Sequence, residues 1–513
     1  MKRITVYSLI LALIFSLVAC SDSSIESALF EWDIPPKNID PLLATEQGEL
    51  TVVKNIFEPL MVANDDGSLS CGAATDYNID SSGLVYTFII NTESKWSDGT
   101  PVTPNDFLFA LKRAVDPNTR AGCALSLTSI KNVPEILEGK ASVESLGVSV
   151  SGNDLIITLS KKDNNFLRTL SGVAGMPCNP DFFEKSGGKY GMTEETIISN
   201  GPFYVTHWNT DQDMESLKLG KNEHYKGKNI PFVSRVRFFY EDDENRFGRM
   251  KNDEINCAGM DVSLLRTAKN EGIATLKYGT GVTSLIFNTN TSLFKSSDLR
   301  KALSACANIS SADNGLPKYI SPATSIMGED YLSPNGSYKG GSYTPAGGDA
   351  KALFNASTAN IDAKELSKLT LYYVDDDTAK LYASYIAQSW QSTLGLYVTL
   401  SPVSMSEGEN LLKSGDFSFI IYPLSDNDKM ASNVLSNFTS LSEYSSSIKV
   451  SDNFDQLVFV GDNASLTTAE NILYSEHRII PLYEKFNAYC IGSKVKESPL
   501  FPGSNILNFS KIK

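Results

Sequence analysis

The stretch Lys95-Trp96-Ser97-Asp98-Gly99-Thr100-Pro101-Val102-Thr103-Pro104-Asn105-Asp106-Phe107 reads as a tight turn feeding a helix. Asp98-Gly99 turns the chain, because Asp bonds nearby backbone and Gly tolerates any φ. Trp96 gives that turn a large apolar body to pack. Thr103 suits the N-cap, Pro104 the first helical position, and Asp106 can reach back to the cap. Phe107, Ala110, Leu111 and Ala114 then share one face, and Asp116-Pro117 ends the helix. Upstream, Leu84-Val85-Tyr86-Thr87-Phe88-Ile89-Ile90 is β-branched and aromatic, the composition of a buried strand. A strand, a turn and a capped helix in succession make this a packing device rather than a binding site.

The same alternation continues outward. Gly147–Val150 and Leu155–Leu159 flank Ser151-Gly152-Asn153-Asp154, which predicts a hairpin. Leu369–Val374 predicts a strand, and Asp375-Asp376-Asp377 places carboxylates where a helix dipole favours them. Leu381, Tyr385, Trp390 and Leu394 form that helix's apolar face, with Gly395 as its stop. Leu396–Leu400 and Phe417–Tyr422 predict two further strands, hence a parallel pair with a right-handed crossover. Residues 311–350, rich in Ser, Gly and Pro, predict a long surface loop. The 513 residues therefore form a mixed α/β protein of more than one lobe. At 42% hydrophobic and 20% charged, the chain can bury an ordinary core, which excludes disorder, collagen and coiled coil as its main state. A formal charge of −15 argues against nucleic-acid binding, which needs a basic stripe.

The N-terminus reads as an export address. Lys2 and Arg3 precede a run of 16 mostly apolar residues, Ile4 to Ala19, short for a membrane-spanning helix. Leu17-Val18-Ala19-Cys20 resembles the lipobox of bacterial lipoproteins, in which cleavage precedes the Cys and its thiol is lipidated. Ser21-Asp22-Ser23-Ser24 then looks like a short tether. Cys71, Cys123, Cys178, Cys257, Cys306 and Cys490 follow; an even count in an exported chain permits three disulfides, and buried free thiols are the other reading.

A catalytic constellation is missing from the sequence. His207, His224 and His477 form no short-spaced ligand pair, and HExxH, GxSxG and GxxxxGK[ST] do not occur. Neither a metal site nor a cofactor is expected.

Residues 95–107 resemble KWSDGTPVTAEDF, a signature of the family 5 extracellular solute-binding proteins, the oligopeptide and dipeptide receptors of ABC importers. Further matches follow in order: Asn38-Ile39-Asp40-Pro41, Asn55-Ile56-Phe57-Glu58-Pro59-Leu60, Asn200-Gly201-Pro202-Phe203-Tyr204 with Trp208, Asn222-Glu223-His224-Tyr225, Phe287-Asn288 through Leu299–Leu303, and Ile479-Ile480-Pro481-Leu482-Tyr483. The resemblance spans residues 28–513. It implies an α/β, periplasmic-binding-protein-like fold (type II, cluster C), with two large lobes and an extra inserted domain hinged around a ligand cleft. Residues 1–19 would be the lipoprotein signal peptide and 20–27 the lipidated Cys and tether. Lobe I would combine 28–55, 178–280 and 478–513; lobe II would be the insertion 56–177, and lobe III 281–477.

In that family a short segment after "DP" touches the ligand, which points here to Thr45, Glu46 and Gln47; the alternative is a helix N-terminus with Thr45 as cap. The family's ammonium-binding Asp lies in a "WxADY" stretch matching Leu424–Asp428. The Trp is missing, Asn427 stands at the Asp position, and Asp426 or Asp428 would serve after a one-residue shift; an exposed acidic turn is the alternative. Ile421 replaces the family's basic residue upstream. Tyr483 matches its C-terminal Tyr, and Glu484-Lys485 replace further aromatics, so Tyr483 and Lys485 complete the candidate set.

The resemblance implies a lipid-anchored, monomeric receptor on the extracytoplasmic face of the membrane. It would capture oligopeptides, perform no chemistry, and deliver to a permease and ATPase complex. Other readings are the same fold holding an oligosaccharide, opine or metal chelate, a peptide-sensing surface lipoprotein, and an extracellular hydrolase. Replacing Cys20 by Ala is expected to release the protein from the membrane fraction; retention of the variant there would sink the lipobox reading.

Overall fold

The computed structural model describes residues 27–31, 36–66, 68–209, 215–239, 246–307, 309–317, 319–334, 336–425, 429–493, 495 and 499–512. The export signal with Cys20, and Asp426, Asn427 and Asp428, lie outside these residues. The elements that build the site are, in chain order, β1 (Ser27–Glu31), α1 (Gln47–Ile56), β2 (Ala74–Ile79), β3 (Val85–Ile90), α2 (Pro104–Val115), β4 (Val148–Ser151), β5 (Asp154–Thr158), α3 (Phe166–Thr169), β6 (Phe203–Trp208), β7 (Glu215–Lys221), β8 (Arg235–Phe239), β9 (Cys257–Met260), β10 (Ala274–Phe287), β11 (Thr370–Val374), α4 (Asp377–Leu394), β12 (Thr399–Val403), α5 (Met405–Ser414), β13 (Phe419–Leu424), α6 (Asp452–Val460), α7 (Asn463–Ser475) and β14 (Ile479–Ile491).

One mixed sheet runs through the molecule in the order β12-β11-β13-β10-β14-β9-β1-β8-β7-β6. It serves two large apolar cores and a smaller cluster that includes Met260, Phe486 and Ala488. The flanking lobe gathers buried residues from Phe30 to Tyr278 together with Tyr489, Leu507, Phe509 and Ile512. The internal lobe gathers Leu285 to Tyr483. β10 and β14 pair antiparallel over their whole lengths and contribute to both. Their register shifts between Gly279 and Gly281 and again between Thr283 and Ser284. Such bulges bend a strand pair and increase its twist. Gly281 there has φ +121°, and a Cβ on it would lie 2.5 Å from the Ser425 Cβ, so the bend needs a glycine.

The turn at residues 95–107 forms as expected. Trp96 is fully buried, donates to Asp106 Oδ2 at 3.4 Å, and meets the Phe57 ring edge-on. Thr103 N–H donates to the same carboxylate at 2.6 Å, completing the capping box of α2. The hairpin β4-β5 packs with β3 and β2 in a separate four-stranded sheet. β11 runs parallel to both β12 and β13. The strand expected at Leu396–Leu400 begins at Thr399 instead. Gly395 ends α4, and the Leu396 N–H returns to the Trp390 carbonyl at 3.3 Å, so Leu396 belongs to the helix stop and is buried there.

The segment 311–350 departs further from expectation. It is largely irregular, but Ile320, Ile326, Met327, Tyr331, Tyr338 and Tyr343 are buried in the internal core. Glu470 on α7 holds it there. This fully buried carboxylate accepts from Ser325 Oγ at 2.6 Å, Tyr338 OH at 2.9 Å, Gly341 N–H at 2.5 Å and the Tyr474 hydroxyl. A buried carboxylate is tolerated when its lone pairs are filled in this way. Replacing Glu470 by Ala strands these donors and is expected to cost about 3 kcal/mol. Urea titration followed by tyrosine fluorescence checks this; a change within about 0.5 kcal/mol, the range of ordinary surface substitutions, would refute it.

Candidate functional site

A cleft of about 980 Å³ lies between the lobes. The flanking lobe lines it with Pro41–Leu42, Ala44–Glu46, Glu58–Pro59, Arg168–Thr169 and Phe501–Gly503; the internal lobe supplies Met405, Glu409, Tyr422–Ser425 and Asn433. Solute sites commonly measure about 300–1,000 Å³, which puts this cleft at the upper end of that range.

The loop that carries Thr45 and Glu46 is shaped by one side chain. Glu49, buried in the first turn of α1, accepts the N–H groups of Lys37 at 3.3 Å, Asn38 at 3.2 Å, Thr45 at 3.0 Å and Glu46 at 3.3 Å. Asp40 secures the loop's other side through Arg113 at 2.6 Å. Thr45 and Glu46 are consequently exposed on the cleft wall. The N-cap of α1 is Glu46, not Thr45, because the Glu49 carboxylate takes the cap N–H. Gln47 is engaged elsewhere: its Nε2 donates to Tyr278 OH at 2.8 Å and Tyr489 OH at 2.6 Å, tying α1 to both crossing strands.

The facing wall is the end of β13. Pairing with β11 stops at Ile421, whereas pairing with β10 continues to Leu424. Residues 422–424 thus present a strand edge that no described strand covers. Pro423, which has no N–H, sits on this edge, as strand prolines do. Asp426, Asn427 and Asp428 follow directly, outside the described residues. Tyr483 is fully buried in the internal core, stacked 5.1 Å from the Tyr382 ring. Lys485 pairs with Asp376 at 2.9 Å. Neither of these two lines the cleft.

Glu58, Arg168, Glu409 and Tyr422 line the cleft and were not among the sequence candidates. Glu58 sits within the matched segment Asn55–Leu60, which was the available signal. Its Oε1 accepts from Tyr225 OH at 2.6 Å. Burial raises its carboxyl to about 7, against the opposing effects of that hydrogen bond and of Lys228. Among the described residues no cluster of His, Cys, Asp and Glu could hold a metal ion, and no helix is long and apolar enough to cross a membrane.

The raised carboxyl has a stability consequence. Folded Glu58 keeps its proton to about pH 7, whereas unfolded Glu58 releases it near 4.5. Its contribution is therefore greatest below pH 4.5 and is lost as pH rises towards 7. The stability of wild type relative to Glu58→Gln is expected to fall across this window by on the order of 3 kcal/mol. Thermal melts of both proteins from pH 4 to 8 test this, and a pH-independent difference would overturn it.

A model of the family described as bacterial extracellular solute-binding proteins, family 5 Middle, matches residues 69–446. The oligopeptide-binding protein OppA of Bacillus subtilis is 27% identical over 401 residues, covering 74% of this chain and 72% of its own. The dipeptide-binding protein DppE of the same organism is 24% identical over 484 residues, covering 90% and 87%. A structure of Listeria monocytogenes OppA bound to peptide superposes with a TM-score of 0.76 at 22% identity, covering 95% of this chain and 98% of that one. The fold is the α/β periplasmic-binding-protein fold.

Proposed function

The chain belongs to the bacterial extracellular solute-binding proteins of family 5, and from that premise we propose that it is a lipid-anchored receptor that captures oligopeptides outside the cytoplasm and hands them to an ABC permease. The observation that carries the peptide reading is the uncovered edge at Tyr422–Leu424, facing Thr45 and Glu46 across the cleft. An extended peptide adds to such an edge through its main chain, so affinity need not depend on side-chain identity. The size of the cleft supports a ligand of several residues. Thr45 and Glu46 would flank the peptide. Asp426, Asn427 or Asp428, which follow Ser425 in the sequence, would supply a partner for the peptide ammonium. Gln47, Tyr483 and Lys485 would act behind this wall, through the strands they brace. The names of the relatives, an oligopeptide-binding and a dipeptide-binding protein, agree with this ligand class.

Lobe I would comprise 28–55, 178–280 and 478–513, with lobe II at 56–177 and lobe III at 281–477. The shared core of the first two supports treating them as one body against which the third moves. The receptor would act as a monomer, would perform no reaction, and would be held to the membrane by acyl chains on Cys20.

Native mass spectrometry of the soluble form starting at Ser21, purified without denaturation, tests the reading. A bound mass that fragments as a peptide is expected, as is uptake from a mixture of tri- to hexapeptides. Converting Asp426 and Asp428 to Asn together is expected to weaken that uptake about tenfold or more, the loss of a charge-assisted bond. An apo mass unchanged by the mixture would refute the peptide assignment.

A further inference from the structure

The lobes touch at a second place, far in sequence from the crossing strands. Lys161, Asn164 and Asn165 lie between β5 and α3 of the flanking lobe, immediately before Arg168 and Thr169 of the cleft wall. Phe459, Val460 and Gly461 end α6 of the internal lobe. Lys161 Nζ stands 3.2 Å from the centroid of the Phe459 ring. Asn164 Nδ2 donates to the Val460 carbonyl at 3.4 Å. Gly461 is left-handed, with φ +68°, and a Cβ there would lie 2.1 Å from Asn165 Nδ2. Only a residue without a side chain lets the lobes approach this closely.

Burial at the contact pulls Lys161 below the ordinary lysine range, with Asp163 and Asp455 opposing that shift. A partly desolvated cation over an aromatic face is stronger than an exposed one. None of Lys161, Asn164, Phe459 and Val460 lines the cleft. Their effect on a solute must therefore pass through the position of the lobes.

We propose that Lys161, Asn164 and Asn165, set against Phe459–Gly461, form a latch that biases the two lobes towards closure and so sets affinity without touching the ligand. The proposal rests on the receptor reading, in which only the closed form holds solute. A change in the closed fraction then appears directly in the apparent affinity.

The test uses the soluble chain from Ser21, stripped of bound solute by partial unfolding and dialysis, in small-angle X-ray scattering without peptide. Lys161→Met keeps most of the aliphatic stem and removes the charge. Phe459→Leu keeps an apolar side chain and removes the ring. Each is expected to lower the closed-to-open ratio about 3- to 30-fold, seen as a larger radius of gyration. The double variant is expected to open no further than either single one, because both remove the same contact. Lys140→Met, on an exposed lysine of the same lobe, is expected to scatter as wild type does. Superimposable curves for wild type, Lys161→Met and Phe459→Leu would overturn the latch. Failure of the wild type to take up the peptide mixture would instead count against the peptide reading and leave the scattering comparison in force.

Discussion

The two larger hydrophobic cores hang on one pair of strands. β10 and β14 cannot separate where they pass between the cores without stranding main-chain N–H and C=O groups, a cost that folded chains avoid. Movement between the lobes is therefore confined to bending of an intact ladder, and bends in a ladder localise at bulges. The pair is braced beside its bulges and between them. In the flanking lobe, Tyr278 and Tyr489, one from each strand, stack at 5.0 Å and share the Gln47 amide. In the internal lobe, Tyr483 stacks on Tyr382, while Lys485 and the Tyr483 hydroxyl both reach Asp376, the N-cap of α4. Lys485 and Tyr483 stand opposite Gly281 and Thr283, so this second brace sits between the two register shifts.

The cleft inherits its shape from this arrangement. Buried carboxylates hold irregular segments in both lobes, Glu49 through main-chain donors and Glu470 chiefly through hydroxyls. Glu49 collects four N–H groups and forces the loop at 37–46 outward. In the internal lobe Glu470 adds polar ties to a glycine- and serine-rich segment whose apolar residues are already buried in the core. In both places a buried carboxyl group is tolerated because donors from an irregular segment fill its lone pairs.

Local signals in the sequence were legible where a short motif determines its own conformation. Thr103-Pro104 with Asp106, the turn at Gly152-Asn153 and the alternation of strand and helix at 369–424 form as read. Reading failed where tertiary contacts override composition. The segment 311–350 looks like a surface loop because its partner, Glu470, lies more than a hundred residues away. At α1, Thr45 looks like a cap, but the deciding residue is Glu49, whose carboxylate also serves residues upstream. The candidate site was legible only through motif resemblance. Thr45 and Glu46 lie on the cleft, while Gln47, Tyr483 and Lys485 brace the strands behind it; side-chain direction, which no spacing rule supplies, separates the two groups.

Among the described residues Cys71, Cys178, Cys257 and Cys306 are free thiols, and the cysteines at 178, 257, 306 and 490 are buried. Burial lifts the thiols of Cys178 and Cys257 to about 12 and that of Cys306 to about 11. Thiolate, the species that exchanges with disulfides, is then scarce at neutral pH. Cys178, Cys257 and Cys306 therefore serve as packing groups of the two large cores rather than as exchange partners. At these three positions the cores assemble by packing, indifferent to whether the surroundings supply an electron acceptor.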